Sequence, residues 1–199
     1  MTNIIVTLLL LTFIHGTNPS AFAQKHKKSP KKAAAVSHTA PSRGFSTTLI
    51  FKDSKGEQIG QPVKFGIHLD ATYCVDMKLG ESFVPPLPPA GIPDVRFMDP
   101  RPGASCMDLG ISNDFRPYQN SAQVDTYMVN MQPSTNGFPV TVSWTKLKIY
   151  YTGSVTLTDA INGELVKIDM KKDTSAMITK KLQSLLIIAK KPVNPLKVK

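Results

Sequence analysis

From Ser46 onward the sequence predicts an all-β fold, a β-sandwich of about eight strands in the immunoglobulin or fibronectin type III style. Three observations predict it. Apolar residues recur with a period of two rather than 3.6, Gly, Pro and Asn punctuate the apolar runs at short intervals, and no segment carries a long amphipathic helical repeat. The one tryptophan, Trp144, lies inside one of these runs.

Residues 1–23 precede the strands and read as a secretory signal. Positions 4–14 are apolar or neutral without a charge, and Ala21-Phe22-Ala23 supplies the small residues of an A-x-A site, placing cleavage after Ala23. The apolar stretch is shorter than the about 20 residues a membrane-crossing helix needs, so no transmembrane segment is expected once the signal is removed. Residues 1–3 carry no Lys or Arg, a departure from the usual basic start, and no cysteine follows the cut as a lipid anchor requires.

Residues 24–45 read as a basic flexible linker, with Lys25, Lys27, Lys28, Lys31, Lys32 and Arg43 and no acid. Residues 191–199 form a basic tail; with Lys190 it carries Lys191, Lys197 and Lys199, again without an acid. These ten cations equal the whole formal net charge of +10, so the part between is neutral. A nucleic-acid-binding fold carries its cations on a folded face interleaved with aromatic rings. The tails hold no aromatic residue except Phe45, which excludes nucleic acid as the expected partner. Two readings of the tails remain, a solvated linker and electrostatic attachment to an anionic envelope surface, where each Lys contributes about 1 kcal/mol.

The domain proper spans 46–190. Residues 46–52 open it as a strand closed by the turn Asp53-Ser54-Lys55-Gly56, and strands follow at 62–68, 94–98 and 123–132. Residues 138–145 put Val140, Val142 and Trp144 on one face and Thr141, Ser143 and Thr145 on the other, the pattern of a half-buried strand. Residues 147–152 and 153–170 extend the alternation, and Asn162-Gly163 between two runs predicts a hairpin with a two-residue type I′ turn. The continuously apolar run 184–190 predicts a central strand covered on both faces.

Residues 82–93 hold five prolines in twelve positions. Proline donates no N–H and fixes φ, so this stretch is expected to cross the fold as an extended polyproline segment rather than join a sheet. Phe83, Leu87 and Ile92 are expected to pack inward, making it a strut; the competing reading offers it as a recognition peptide for a partner's aromatic groove.

The string ATYCVDMKLGESFVPPLPPAGIPDVRF (71–97), followed by QPSTNGFPVTVSW (132–144), resembles a module of secreted proteins that use the type IX route of Gram-negative bacteria. The likeness covers about residues 46–190. It implies an exported or surface β-domain of undefined activity, often upstream of a C-terminal sorting domain that this sequence, ending at Lys199, does not show. It carries no catalytic residue across.

Cys74 and Cys106 are the two cysteines. An even count in an exported chain predicts a disulfide; it would enclose the proline segment, with two free buried thiols as the alternative. Past the signal the histidines are His26, His38 and His68, of which only His68 falls in a strand. No H-E-x-x-H, C-x-x-C, phosphate loop or G-x-S-x-G occurs. Asp70, Asp76, Glu81, Asp94 and Asp99 lack calcium-loop spacing. No catalytic, metal or cofactor site is therefore expected. The expectation is a periplasmic, cell-surface or extracellular structural or adhesive module. The alternative is a ligand-binding sandwich for a carbohydrate, peptide or protein, for which Phe115, Tyr118 and Tyr127 are the nearby aromatic residues.

Overall fold

The structure, a computed structural model, describes residues 43–198 apart from Pro102, Ala104, Ser105 and Lys146. Among these, ten strands follow one another: β1 (Gly44–Lys52), β2 (Val63–His68), β3 (Asp94–Met98), β4 (Asn113–Pro117), β5 (Val124–Gln132), β6 (Val140–Trp144), β7 (Val155–Asp159), β8 (Lys167–Asp169), β9 (Ser175–Ile178) and β10 (Ser184–Lys190). They form two five-stranded sheets, ordered β4-β2-β1-β6-β9 and β3-β5-β10-β7-β8. All pairings are antiparallel except β2 with β4, which is parallel.

The alternation of β1 decides how the sheets meet. Phe45, Thr47, Leu49 and Phe51 are buried while the residues between them face outward. β5 repeats this with Asp125, Tyr127, Val129 and Met131 inward. The inner faces pack on each other: the Phe65 and Tyr127 rings lie 4.9 Å apart, and the Tyr127 hydroxyl donates to the Gly66 carbonyl at 2.9 Å. Trp144 is fixed by its Nε1–H, which donates to the Met170 and Asp173 carbonyls at 2.8 and 3.0 Å. The all-β sandwich expected from the period-two pattern is thus the observed architecture.

Several local expectations change. Residues 147–152 are a turn, not a strand: Leu147 and Tyr151 are buried, four residues apart, and the Tyr150 N–H donates to the Leu147 carbonyl. Tyr150 stacks on Phe45 at 4.5 Å instead of entering a sheet. Asn162-Gly163 is not a two-residue turn. β7 ends at Asp159 and β8 starts at Lys167, and the Asp159 carboxylate organises the loop by accepting the N–H groups of Ile161, Asn162, Gly163, Leu165 and Val166. Of the pair, only Gly163 has positive φ, at 76°, so the type I′ geometry is not met.

β10 lies at the centre of its sheet, as expected, but among the described residues its two faces are unequally covered: Leu185, Ile187 and Ala189 are buried, whereas Leu186 and Ile188 are half-buried on the outer face.

The domain limits also move. The sheet begins at Gly44, not Ser46, because Phe45 is a core residue. Residues 191–198 are no free tail. The Val193 N–H donates to the Tyr150 carbonyl, Pro192 bridges to Tyr151, and a 3-10 turn over Pro195–Lys197, capped by the Asn194 side chain, buries Pro195. The expected signal with its Ala23 cleavage site, and the expected linker up to residue 42, lie outside the described residues.

Candidate functional site

Val95 and Phe97 of β3 point into the core, so Arg96 between them points away from it, yet Arg96 is only 1% exposed. The proline segment covers it. The Arg96 guanidinium takes both oxygens of Asp94, at 2.7 and 3.0 Å, and its Nη1 donates to the Pro85 carbonyl at 2.7 Å and the Leu109 carbonyl at 2.8 Å. Prolines present carbonyls without competing N–H donors, so a buried guanidinium with five donors suits them. On β5, Gln132 alternates with the core residue Met131 and also faces outward. Its amide Nε2 lies 3.2, 2.9 and 2.9 Å from the carbonyls of Pro88, Pro89 and Ile92. The segment thus crosses the outer face of the second sheet, held by its backbone.

Its side chains behave contrary to expectation. Phe83, Leu87 and Ile92 are 52, 57 and 50% exposed. Because the carbonyls are consumed by Arg96 and Gln132, the chain is anchored without burying them, and they are free to face solvent.

Beside this strut lies a cleft of about 250 Å³. Leu87, Met131, Phe138 and Leu182 supply its apolar surface, and Asn130, Gln132, Lys181 and Gln183 bring polar groups to it. Met131 and Leu182 are buried, giving the cleft a fixed floor. Asn130 is oriented by Ser184, whose hydroxyl donates to its Oδ1 at 2.7 Å. Asp94, also at the rim, is already engaged with Arg96.

A second polar group sits between the sheets, where β4 turns Asp114 and Arg116 inward. Arg116 donates to Asp114 at 2.7 Å and lies over the Tyr127 and Tyr73 rings, 5.5 and 5.7 Å from their centroids. Glu81 accepts the N–H groups of Asp76 and Phe115, both at 2.5 Å, tying the loop before the strut to β4. Burial pushes the Asp114 carboxyl up to about 7 against the pull of Arg116; burial also raises Glu81 and Asp125. Asp114, Arg116, Glu81 and Asp125 are all buried, so this cluster ties β4 to the loop before the strut inside the fold.

Cys74 and Cys106 are joined, with Cα atoms 5.3 Å apart. Beside the bridge, the Arg101 guanidinium binds Asp99 and the Tyr73 carbonyl, each at 2.6 Å. The remaining candidates are dispersed. His68 Nδ1 accepts the Asp70 N–H at 3.1 Å, and its ring packs so closely on Gly44 that a Cβ there would meet it at 2.3 Å. Asp70 pairs with Arg43, whose Nε donates at 2.7 Å. Asp76 accepts the Thr72 N–H at 2.6 Å. Among the described residues no group of three or more His, Cys, Asp or Glu side chains is placed to hold a metal ion. Tyr127 is core, and Phe115 and Tyr118 are half-buried rather than an exposed cluster.

Arg96, Gln132 and Lys181 were not singled out in the sequence. The first carried a signal nonetheless: a cation flanked by two core positions in D-V-R-F, directly after the prolines, asks for an acceptor on the outer face. Gln132 and Lys181 gave none, since polar residues at strand ends and in loops are ordinary.

No protein-family model matches this chain, and neither the curated proteins nor the solved structures contain a match to it. No helix among the described residues is long and apolar enough to cross a membrane.

Proposed function

We propose that the protein is an exported adhesive module, not an enzyme, and that it holds one unit of a polymeric ligand, a peptide or carbohydrate chain, in the cleft beside the proline strut. The observation that carries this is the cleft itself: a cavity lined by both apolar residues (Leu87, Phe138, Leu182) and polar ones (Asn130, Lys181, Gln183), beside a strut locked by Arg96 and Gln132. Its size narrows the ligand. About 250 Å³ falls below the roughly 300–1,000 Å³ that encloses a whole small molecule, which suits one side chain or one sugar ring of a longer chain. The locked wall supports the reading further, because a preorganised site spends little of its binding energy on ordering itself.

Export belongs to the same proposal. The leader-like residues 1–23, the joined cysteines and the likeness of 71–97 and 132–144 to type IX cargo modules support it. The basic stretch before β1 supports an additional, salt-sensitive hold on an anionic envelope surface.

The test is binding of the purified mature chain to a glycan array and to an immobilised random peptide library, repeated with Leu87→Asp and Lys181→Glu. Both positions are exposed, so the melting midpoint should hold while captured glycan or peptide falls about tenfold or more. No saturable binding to either array, or binding indifferent to both substitutions, would refute the cleft as the seat.

A further inference from the structure

The outer face of the second sheet carries an apolar floor with no partner within the described residues. Pairing places Met98, Met128 and Leu186 in one row across β3, β5 and β10, with Ile188 one step along β10 on the same face. All four are half-buried. Along one margin of this floor stands the strut with the turn beside it, a ridge one layer high, since Pro85 and Leu109 both sit on the Arg96 guanidinium. Pro85, Pro86 and Leu109 form its exposed top. Ridge and floor are continuous: a Cβ on Gly110 would lie 3.1 Å from the Met98 sulfur.

We propose that this face is a self-association surface: two copies of the chain pack about a two-fold axis running along the step, the proline ridge of each resting on the Met128–Leu186–Ile188 floor of the other. Three features select a second copy over other occupants. First, a ridge beside a floor of like chemistry is complementary to itself under such a rotation, as an isologous contact requires. Second, these seven residues carry no charge, which disfavours an anionic surface and removes the like-charge repulsion that a self-contact would otherwise face. Third, the apolar run of β10 is that of a strand covered on both faces, and the described residues leave Leu186 and Ile188 only half-buried on the outer one. Leu109 is 47% exposed, Pro85 and Pro86 are exposed and the four floor residues are half-buried, so each has surface left for a second copy to cover. The contact adjoins the cleft, whose Leu87 follows Pro86 and whose Asn130 is the next outward residue of β5 after Met128; self-association and ligand capture are read by separate measurements.

Sedimentation velocity of the mature chain over a concentration series tests this, with Leu109→Lys on the ridge, Leu186→Glu on the floor, and an equimolar mixture of the two variants. The wild type should associate as a dimer, each variant should weaken association on the order of 100-fold, and the mixture should recover dimer, because a ridge lysine then meets a floor glutamate. Leu109 is exposed in a turn, so its variant reports even if Leu186→Glu perturbs folding. A wild type that stays monomeric up to its solubility limit overturns the proposal. So does a dimer indifferent to Leu109→Lys, or a pair of folded variants that fail to rescue each other.

Discussion

Asp114 and Arg116 stand opposite Phe65 and Ile67 in the parallel pairing of β4 with β2, and all four point between the sheets. Two ionisable side chains have been placed where the neighbouring strand puts hydrocarbon, and burial of a charge is tolerated only when it is paired. The pairing is incomplete in charge: Glu81, Asp99, Asp114 and Asp125 face Arg101 and Arg116, together with the Tyr73 and Tyr127 rings. Burial therefore holds the Asp114 carboxyl up to about 7, whereas in the unfolded chain it titrates near 3.9. Between those values the folded state keeps a proton that the unfolded state has lost. By linkage the contribution of this group is full below about pH 4 and is lost as pH rises towards 7. Replacing Asp114 by Asn should flatten the fall of the melting midpoint across that window relative to wild type, because Asn keeps an acceptor for Arg116 and has no proton to lose. Parallel midpoint-versus-pH curves for the two proteins would show that Asp114 is ionised throughout. Asp159 acts in the opposite sense: hydrogen bonds from the loop amides hold its carboxyl far below the usual range, so its support is present above about pH 4 and is lost progressively as pH falls below that.

The strut shows how an element can be held by its backbone alone. Its prolines restrict the unfolded chain, which lowers the entropy lost on ordering it, and its carbonyls supply the acceptors that Arg96 and Gln132 use. Stability should therefore depend on the outer-face polar residues and hardly on the strut's own apolar ones. Arg96→Ala, which strips Asp94 and two carbonyls of a buried partner, should cost about 3 kcal/mol. Leu87→Ala should stay within about 0.5 kcal/mol, as exposed positions do. Denaturant melts of the two variants decide this, and a large loss for Leu87→Ala beside a small one for Arg96→Ala would reverse the account. The same logic explains which elements were legible beforehand. β1, β5, β6 and β10 announce themselves because apolar side chains fill most of their inward positions, Thr47 and Asp125 being the exceptions. β4 was missed since its inward residues are Asp114 and Arg116, so its hydrophobic pattern is inverted. β9 is four residues long and offers only Ala176 and Ile178. Residues 147–152 misled in the other direction: Leu, Ile and two Tyr suit a strand by composition, but burial of Leu147 and Tyr151 follows the four-residue spacing of a turn.

At the scale of the whole molecule, the cysteine pair was readable from its count and the two-sheet architecture from its period, while the cleft was not, because it is assembled from a strut, a strand end and two loops that are close only after folding. The bridge closes a loop that contains the strut and β3, two elements that also lock the cleft wall. Reducing it separates two ways in which it acts. In the chain-entropy account a loop spanning 32 positions contributes roughly 3–4 kcal/mol by restricting the unfolded chain, which for a chain of this size lowers the melting midpoint by about 10 °C. That loss leaves the native contacts in place. Arg96 still holds Pro85 and Leu109, and Gln132 still holds Pro88, Pro89 and Ile92, so well below its midpoint the reduced protein should bind a cleft ligand as the oxidised one does. Cys74→Ser with Cys106→Ser should reproduce both results without reductant. If the double variant instead keeps its midpoint, the bridge constrains nothing in the unfolded chain. If it keeps its fold but loses ligand, the strut depends on the covalent closure, and Arg96 and Gln132 are too weak to hold the wall alone.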